Sequence, residues 1–349
     1  MGKLPALKDG ALVDIRPQRV YRRAPAVATS LGVHVQGLVL PAPSTSDCIT
    51  QAMGAQKRFA SAVPPFLPNM QRAFRSFVRL WLVRNLPRLP VDTDYTVEHW
   101  LNRAPYSQAR KDELRASWLA CNGKINRRHY RNKMFTKHEN YTTWKQARCI
   151  NSRSDQFKCL TGPYFHAIEQ LLFRTKWFIK FVPVHDRPRF IRDRLASTAD
   201  YYACTDHSAF ESHMTPEVLK ACEFQLYRHC LGDAGRPVLG HIFHALAGTN
   251  TCVSRGVTVK LKGARMSGDM CTSLGNGFTN MMTMFFMCAR KHLNCDGIFE
   301  GDDGITRISG KQENLPTVDD FKSIGMDLKL KYVSDLASAD FCGLISHPD

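Results

Sequence analysis

Three carboxylates stand where the chain could do acid-dependent chemistry. Asp206 ends the β-prone run Tyr201-Tyr202-Ala203-Cys204-Thr205, and Asp302 and Asp303 lie between Ile298-Phe299-Glu300 and Ile305-Thr306-Arg307-Ile308. Two β-prone runs around a tight acidic turn predict a hairpin with the acid pair at its tip. Adjacent carboxylates repel unless a cation sits between them, and oxygen-only ligation with room for water and phosphate suits Mg2+. Two such ions can activate an attacking hydroxyl and stabilise a leaving oxygen, which is the chemistry of nucleotidyl transfer. A hydrophilic turn can also read Gly-Asp-Asp, so the pair alone decides nothing. Between the acidic runs lies Ser267-Gly268-Asp269-Met270-Cys271-Thr272-Ser273-Leu274-Gly275-Asn276. Its Ser-Gly, Thr and Asn spacing arises by chance in roughly a few per thousand chains at average usage. Thr272 and Asn276 are four apart and share one helix face.

Around these residues the pattern predicts the elements that position them. A helix starts at Thr215-Pro216-Glu217, a capping residue followed by proline and an acid, and stops near Gly232. The apolar density from Asp269 to Leu293 predicts a long buried helix. A short helix from Val318 to Ile324 closes at Gly325, and Leu328, Leu330 and Tyr332 then alternate with Lys329 and Lys331 in a strand. Upstream, Met70, Phe74, Phe77, Val78, Trp81 and Leu82 follow helical spacing, with Arg72, Arg75 and Arg79 off that face, until Pro87 and Pro90. Packing of that stripe on a core is expected ahead of a membrane-surface or RNA-facing role. Residues 98–180 read as mostly helical and basic, and residues 1–66 as a partly irregular arm.

The formal charge of +17 suggests a polyanionic partner. It is one-sided: residues 1–150 carry 25 basic and 9 acidic side chains, residues 151–349 carry 23 and 22. The basic half would bind phosphate backbones without reading sequence. The longest apolar run, Met281 to Ala289, is far short of the ~20 residues of a membrane span. The twelve cysteines include no CxxC pair, which predicts free thiols acting as small buried hydrophobes. Cys288, His292 and Cys295 lack a fourth zinc ligand.

With Asp206-His207-Ser208-Ala209-Phe210-Glu211 upstream and Gly301-Asp302-Asp303 downstream, the Ser267–Asn276 string resembles the palm of viral RNA-dependent RNA polymerases. Arg265-Met266-Ser267-Gly268-Asp269-Met270 resembles tombusvirus and related positive-strand virus replicases, and the resemblance runs from about Lys137 to Gly343. It implies an α+β right-hand polymerase with fingers and palm, an antiparallel palm sheet with flanking helices, and a thumb largely absent. The units expected are an arm over 1–66, fingers over 67–199, the first palm motif over 200–232, a fingers insertion over 233–262, the remaining palm over 263–343, and the start of a missing thumb over 344–349. Because only six residues follow Gly343, a partial chain is expected.

The resemblance also carries roles onto matching positions. It implies that Asp206, Asp302 and Asp303 are catalytic metal ligands, with Asp303 the less direct one, for Mg2+ or its substitute Mn2+. Ser267 and Gly268 would form the flexible loop that accommodates template and nucleotide. Thr272 and Asn276, with the second acid Glu211, would read the ribose 2′-hydroxyl. Relatives carry Asp at the Glu211 position. Lys137, Lys145 and Arg148 would hold the triphosphate, with Ala147 where proline is usual and Arg189 as a competing match. Lys329 would protonate the leaving pyrophosphate, although Lys331 shares its strand face. Asp340-Phe341-Cys342-Gly343 resembles the palm–thumb junction.

The implied partners are RNA template and nascent RNA, nucleoside triphosphates, other viral replicase proteins and, through them, host membranes. The implied location is the host cytoplasm, at membrane-associated replication complexes. One rival is a reverse transcriptase, opposed by Asn276 and Glu211, which would bind the very hydroxyl that such a site excludes. The other is a non-enzymatic RNA-packaging protein with a basic arm before a β-sandwich, opposed by the helical pattern of residues 216–293.

Overall fold

A computed structural model describes residues 4–16, 43–137, 139, 146–197, 200–207 and 209–345. Strand β1 (Leu12–Ile15) precedes helices α1 (Cys48–Arg58), α2 (Pro68–Asn85), α3 (Val97–Arg103) and α4 (Gln108–Ala120). Strands β2 (Asn132–Thr136) and β3 (Cys149–Arg153) lead into α5 (Asp155–Leu172) and α6 (Arg187–Leu195). Strand β4 (Tyr201–His207) is followed by α7 (Phe210–His213), α8 (Pro216–Ala221), α9 (Glu223–Leu231) and α10 (Arg236–Ala247). Next come β5 (Thr249–Ser254), β6 (Val257–Lys262), α11 (Thr272–Arg290), β7 (Asn294–Glu300), β8 (Asp303–Ser309), α12 (Val318–Lys322) and β9 (Leu328–Val333). The fold is mixed α+β.

The strands form two principal sheets. One is antiparallel with order β7-β8-β4-β9, and the other has order β1-β6-β5-β2-β3, parallel only between β2 and β5. In the first, β4 is central, because Thr205 pairs with Gly304 on one side and Asp206 with Lys329 on the other. Helix α11 is buried from Leu274 through Cys288, as its apolar density requires. Together with α2, α5, α8 and α9 it builds the largest core around Phe74, Trp81, Phe165, Tyr227, Phe278 and Met281. Helix α2 buries Met70, Phe74, Val78, Trp81 and Leu82, while Arg72, Arg75 and Arg79 face solvent, so its stripe packs on the core.

Three readings of the sequence are corrected. Residues 98–180 are not continuously helical, since β2 and β3 pair antiparallel from Asn132–Arg153 to Thr136–Cys149. Their inward positions include Asn132, Asn151 and Arg153, so polar residues at buried positions hide the alternation that marks a strand. The described parts of the 1–66 segment, residues 4–16 and 43–66, are more regular than their composition suggests. Helix α1 is capped by Asp47, whose carboxylate accepts from the Thr50 amide at 2.6 Å. It packs through Ala52, Gly54 and Ala55, residues too small to give an apolar stripe. The helix opened by Thr215 breaks at Cys222 into α8 and α9. Among the described residues no helix is long and apolar enough to cross a membrane, and all twelve cysteines are free.

Candidate active site

The first sheet brings the acidic residues together. Glu300 pairs with Asp303 across the β7–β8 turn, leaving Asp302 at its tip, and pairing of Thr205 with Gly304 carries Asp206 outward beside Asp303. Desolvation and the charges of Asp302, Asp206 and Asp340 raise the Asp303 pKa above its ordinary value, while a hydrogen bond from Cys342 opposes them. The crowding of negative charge is thus a property of the fold. Cys342 lies in the left-handed turn between the paired segments Asp340–Phe341 and Leu344–Ile345.

Asp206 is engaged from the opposite strand, where Lys329 Nζ stands 3.0 Å from its Oδ2. Lys331 lies two residues along, opposite Cys204, so of the two same-face lysines Lys329 is the one bonded to a candidate ligand. Asp206, Asp302 and Asp303 offer oxygen donors only, the set a hard divalent cation prefers. As arranged, no three His, Cys, Asp or Glu side chains among the described residues are close enough to hold one ion, and Asp206 is turned to Lys329. The donor chemistry fits a hard divalent cation, and Lys329 engages one oxygen of Asp206, Oδ2.

Two buried amides follow one another along α11. Asn280 joins the acidic strands: its Nδ2 donates to the Asp302 carbonyl at 2.9 Å and its Oδ1 lies 3.3 Å from His207 Nε2. Burial lowers the His207 pKa to about 4, so it is a neutral imidazole near neutral pH. Nothing in the Ser267–Asn276 spacing points to Asn280, which lies one turn beyond that string. Asn276 faces a different network, in which its Oδ1 accepts from Arg265 Nε at 3.0 Å. Arg265 forms a fully buried ion pair with Glu223 and also donates to Cys271 Sγ. Tyr227 completes the network by donating to Glu223 at 2.7 Å. Thr272 Oγ1 donates to the Asp269 and Met266 carbonyls.

Glu211, the expected partner of Asn276, is buried in α7 and bonded instead to Arg58 from the end of α1 at 2.5 Å. Desolvation raises its pKa, with Arg58 opposing and Asp302 reinforcing the rise. Arg58 is invisible as a site residue in the sequence because its partner lies more than 150 positions away and its own helix carries no apolar stripe.

Ser267 and Gly268 lie against β3. The Gly268 amide donates to the Asn151 carbonyl at 2.8 Å, and Ser267 Oγ is 3.4 Å from both the Asn151 amide and the Cys149 carbonyl. A Cβ at Gly268 would stand 2.5 Å from the Asn151 oxygen, so the approach requires glycine. The loop is further tied by a buried Arg153–Asp269 pair at 2.6 Å, with Arg153 also donating to the Tyr130 and Ala245 carbonyls and Asn250 Oδ1. Lys137 and Arg148 flank Glu139 at 2.5 and 3.4 Å at the β2–β3 end. Lys145 lies outside the described residues. Arg189 is exposed on α6 beside Asp193, on a helix separate from that end.

A family profile described as "Viral RNA dependent RNA polymerase" matches residues 94–327, well over half of the chain. The chain is also similar to the RNA-directed RNA polymerase of Oat chlorotic stunt virus (isolate United Kingdom), at 24% identity over 281 residues. That alignment covers 74% of this chain and 37% of the viral protein, so the chain spans well under half of that relative's length. The matched span of the profile contains Asp206, Glu211, the Ser267–Asn276 string, Asp302 and Asp303. On that match, the chain belongs to the viral RNA-dependent RNA polymerase family.

Proposed function

We propose that this chain carries out RNA-templated RNA synthesis, adding ribonucleotides from nucleoside triphosphates to a nascent RNA 3′-hydroxyl. The observation that carries the reading is the meeting of Asp206, Asp302 and Asp303 at one end of a four-stranded antiparallel sheet, with Lys329 on Asp206. In this reading the β7-β8-β4-β9 sheet with α11 is the palm, and the β1-β6-β5-β2-β3 sheet with α1 belongs to the fingers.

Asp206 and Asp302 would hold Mg2+, with Asp303 supporting them. The bound metal supplies charge neutralisation for the attacking and leaving oxygens. The chain's own groups position the substrate. Lys137, Lys145 and Arg148 bind the triphosphate, the guanidinium bidentately. Ser267 and Gly268 line the path of template and nucleotide. Lys329, once released from Asp206, is the proton donor to the departing pyrophosphate. Glu211, Thr272 and Asn276 serve ribose recognition, which requires the Glu211–Arg58 and Asn276–Arg265 bonds to rearrange when a nucleotide enters.

The test compares ribonucleotide and deoxyribonucleotide incorporation by the chain on an RNA template with Mg2+. Template-dependent incorporation of ribonucleotides, with deoxyribonucleotides disfavoured, is expected. A preference for deoxyribonucleotides would return the reading to a reverse transcriptase.

A further inference from the structure

We propose that the outward face of the five-stranded sheet is a binding surface for single-stranded RNA, distinct from the carboxylate site. The sheet is two-sided. Cys252, Val257, Val259, Leu261, Met134 and Cys149 pack inward against Ala52 and Ala55 of α1 and Phe59 just after it. Strand register fixes what points the other way. Leu12 lies opposite Lys260 and Asp14 opposite Thr258, Lys260 lies opposite Thr251 and Lys262 opposite Thr249. Val253 is in register with Lys133, which lies opposite Ser152, and Phe135 lies opposite Ile150. Successive strands are about 4.8 Å apart, so the face is about 19 Å across.

Its charge is predominantly positive. Lys133, Lys260 and Lys262 project from it, and Arg16 and Arg131 extend it at the strand ends. Its one acid, Asp14, is paired with Arg16 at 3.1 Å. Among the described residues none of Arg131, Lys133, Lys260 and Lys262 has a carboxylate at ion-pair distance. A shallow groove of about 420 Å3 crosses β1, β6 and β5, lined by Asp14, Arg16, Arg131, Val253, Thr258 and Lys260. Apolar groups interleave with the cations: Leu12 is 55%, Phe135 43% and Val253 39% exposed.

Lysines and arginines that track a phosphate backbone, with an exposed aromatic ring and aliphatic surfaces between them, suit unstacked bases. A duplex offers mainly its backbone and grooves. The 17–42 segment contains Arg19, Arg22 and Arg23 and no acid, so charge argues against it as the occupant. The choice of RNA over other polyanions rests on the polymerase reading, whereas the charge and the register do not depend on it.

The test measures binding of a fluorescent unstructured oligouridylate to the full chain by anisotropy across a salt series. The variant carries Arg131→Ala, Lys133→Ala, Lys260→Ala and Lys262→Ala together. All four side chains are solvent-exposed, so an unchanged melting temperature is expected. Affinity should fall by about tenfold or more, and the slope of log K against log salt should shrink by about 0.7 for each phosphate that the variant no longer neutralises. Asp14→Asn should tighten binding, and Phe135→Ala should weaken single-strand binding more than duplex binding. Unchanged affinity and salt slope in the folded fourfold variant would overturn the proposal. So would wild-type binding to vesicles of anionic lipid that disappears in the fourfold variant while RNA binding persists. If the wild type binds RNA through these residues yet adds no nucleotide, the polymerase reading fails and this surface stands. If it adds nucleotides and the fourfold variant binds RNA like the wild type, the surface fails and the polymerase reading stands.

Discussion

Gly275 stands against the most deeply buried charges near the site. A Cβ there would lie 2.3 Å from Arg265 Nη2 and 2.4 Å from Glu223 Oε2, inside an ion pair whose two side chains have no exposure at all. Neither group has space or solvent to move into, and breaking such a pair strands a buried charge at about 3–5 kcal/mol. Gly275→Ala should therefore destabilise the fold by about 3 kcal/mol or more, seen as a lowered denaturant midpoint. A midpoint within experimental scatter of wild type would mean that the Arg265–Glu223 pair has slack that the packing does not suggest. The same network explains why Asn276, one residue further along α11, faces Arg265.

Between elements, Asn280 is the clearest joint. One side chain spans the end of β4, through His207, and the β7–β8 turn, through the Asp302 carbonyl. Asn280→Leu keeps the branching of the side chain, with somewhat more bulk, but leaves a buried ring nitrogen and a carbonyl without their partner, at about 1–3 kcal/mol. Nucleotide incorporation should fall by more than the unfolded fraction explains, with RNA affinity retained, because the relative placement of Asp206 and Asp302 loosens. Full specific activity in the folded variant would show that the strand pairing alone holds the acids.

Legibility in the sequence divides along the same lines. The elements that put large apolar residues at regular spacing, α2 and α11, are readable, as are the acidic hairpin and the lysine strand β9. Strands β2 and β3 are not, because their buried positions hold Asn132, Asn151 and Arg153, and the partners of Asn132 and Arg153 come from distant segments. Helix α1 is illegible because alanine and glycine pack it. The carboxylates are legible by type and spacing. The arginines that hold their neighbours, Arg58 on Glu211 and Arg265 on Asn276, are not, since neither bond follows a local sequence pattern.

Across the whole molecule, charge and chemistry are segregated. Of the net +17, the first 150 residues contribute nearly all, and they supply α1, β1, β2 and the start of β3, while the acidic cluster is built from β4 and the β7–β8 hairpin of the near-neutral remainder. RNA binding and nucleotide incorporation should therefore be separable by a single substitution. The direct measurement is nucleotide incorporation and RNA affinity in the same preparation of Asp302→Asn, which removes a charge from the exposed hairpin tip without touching the basic side chains of the five-stranded sheet. The account predicts that incorporation is abolished while RNA affinity stays within a few-fold of wild type. Equal loss of both properties in a folded protein, or retained incorporation, would contradict it.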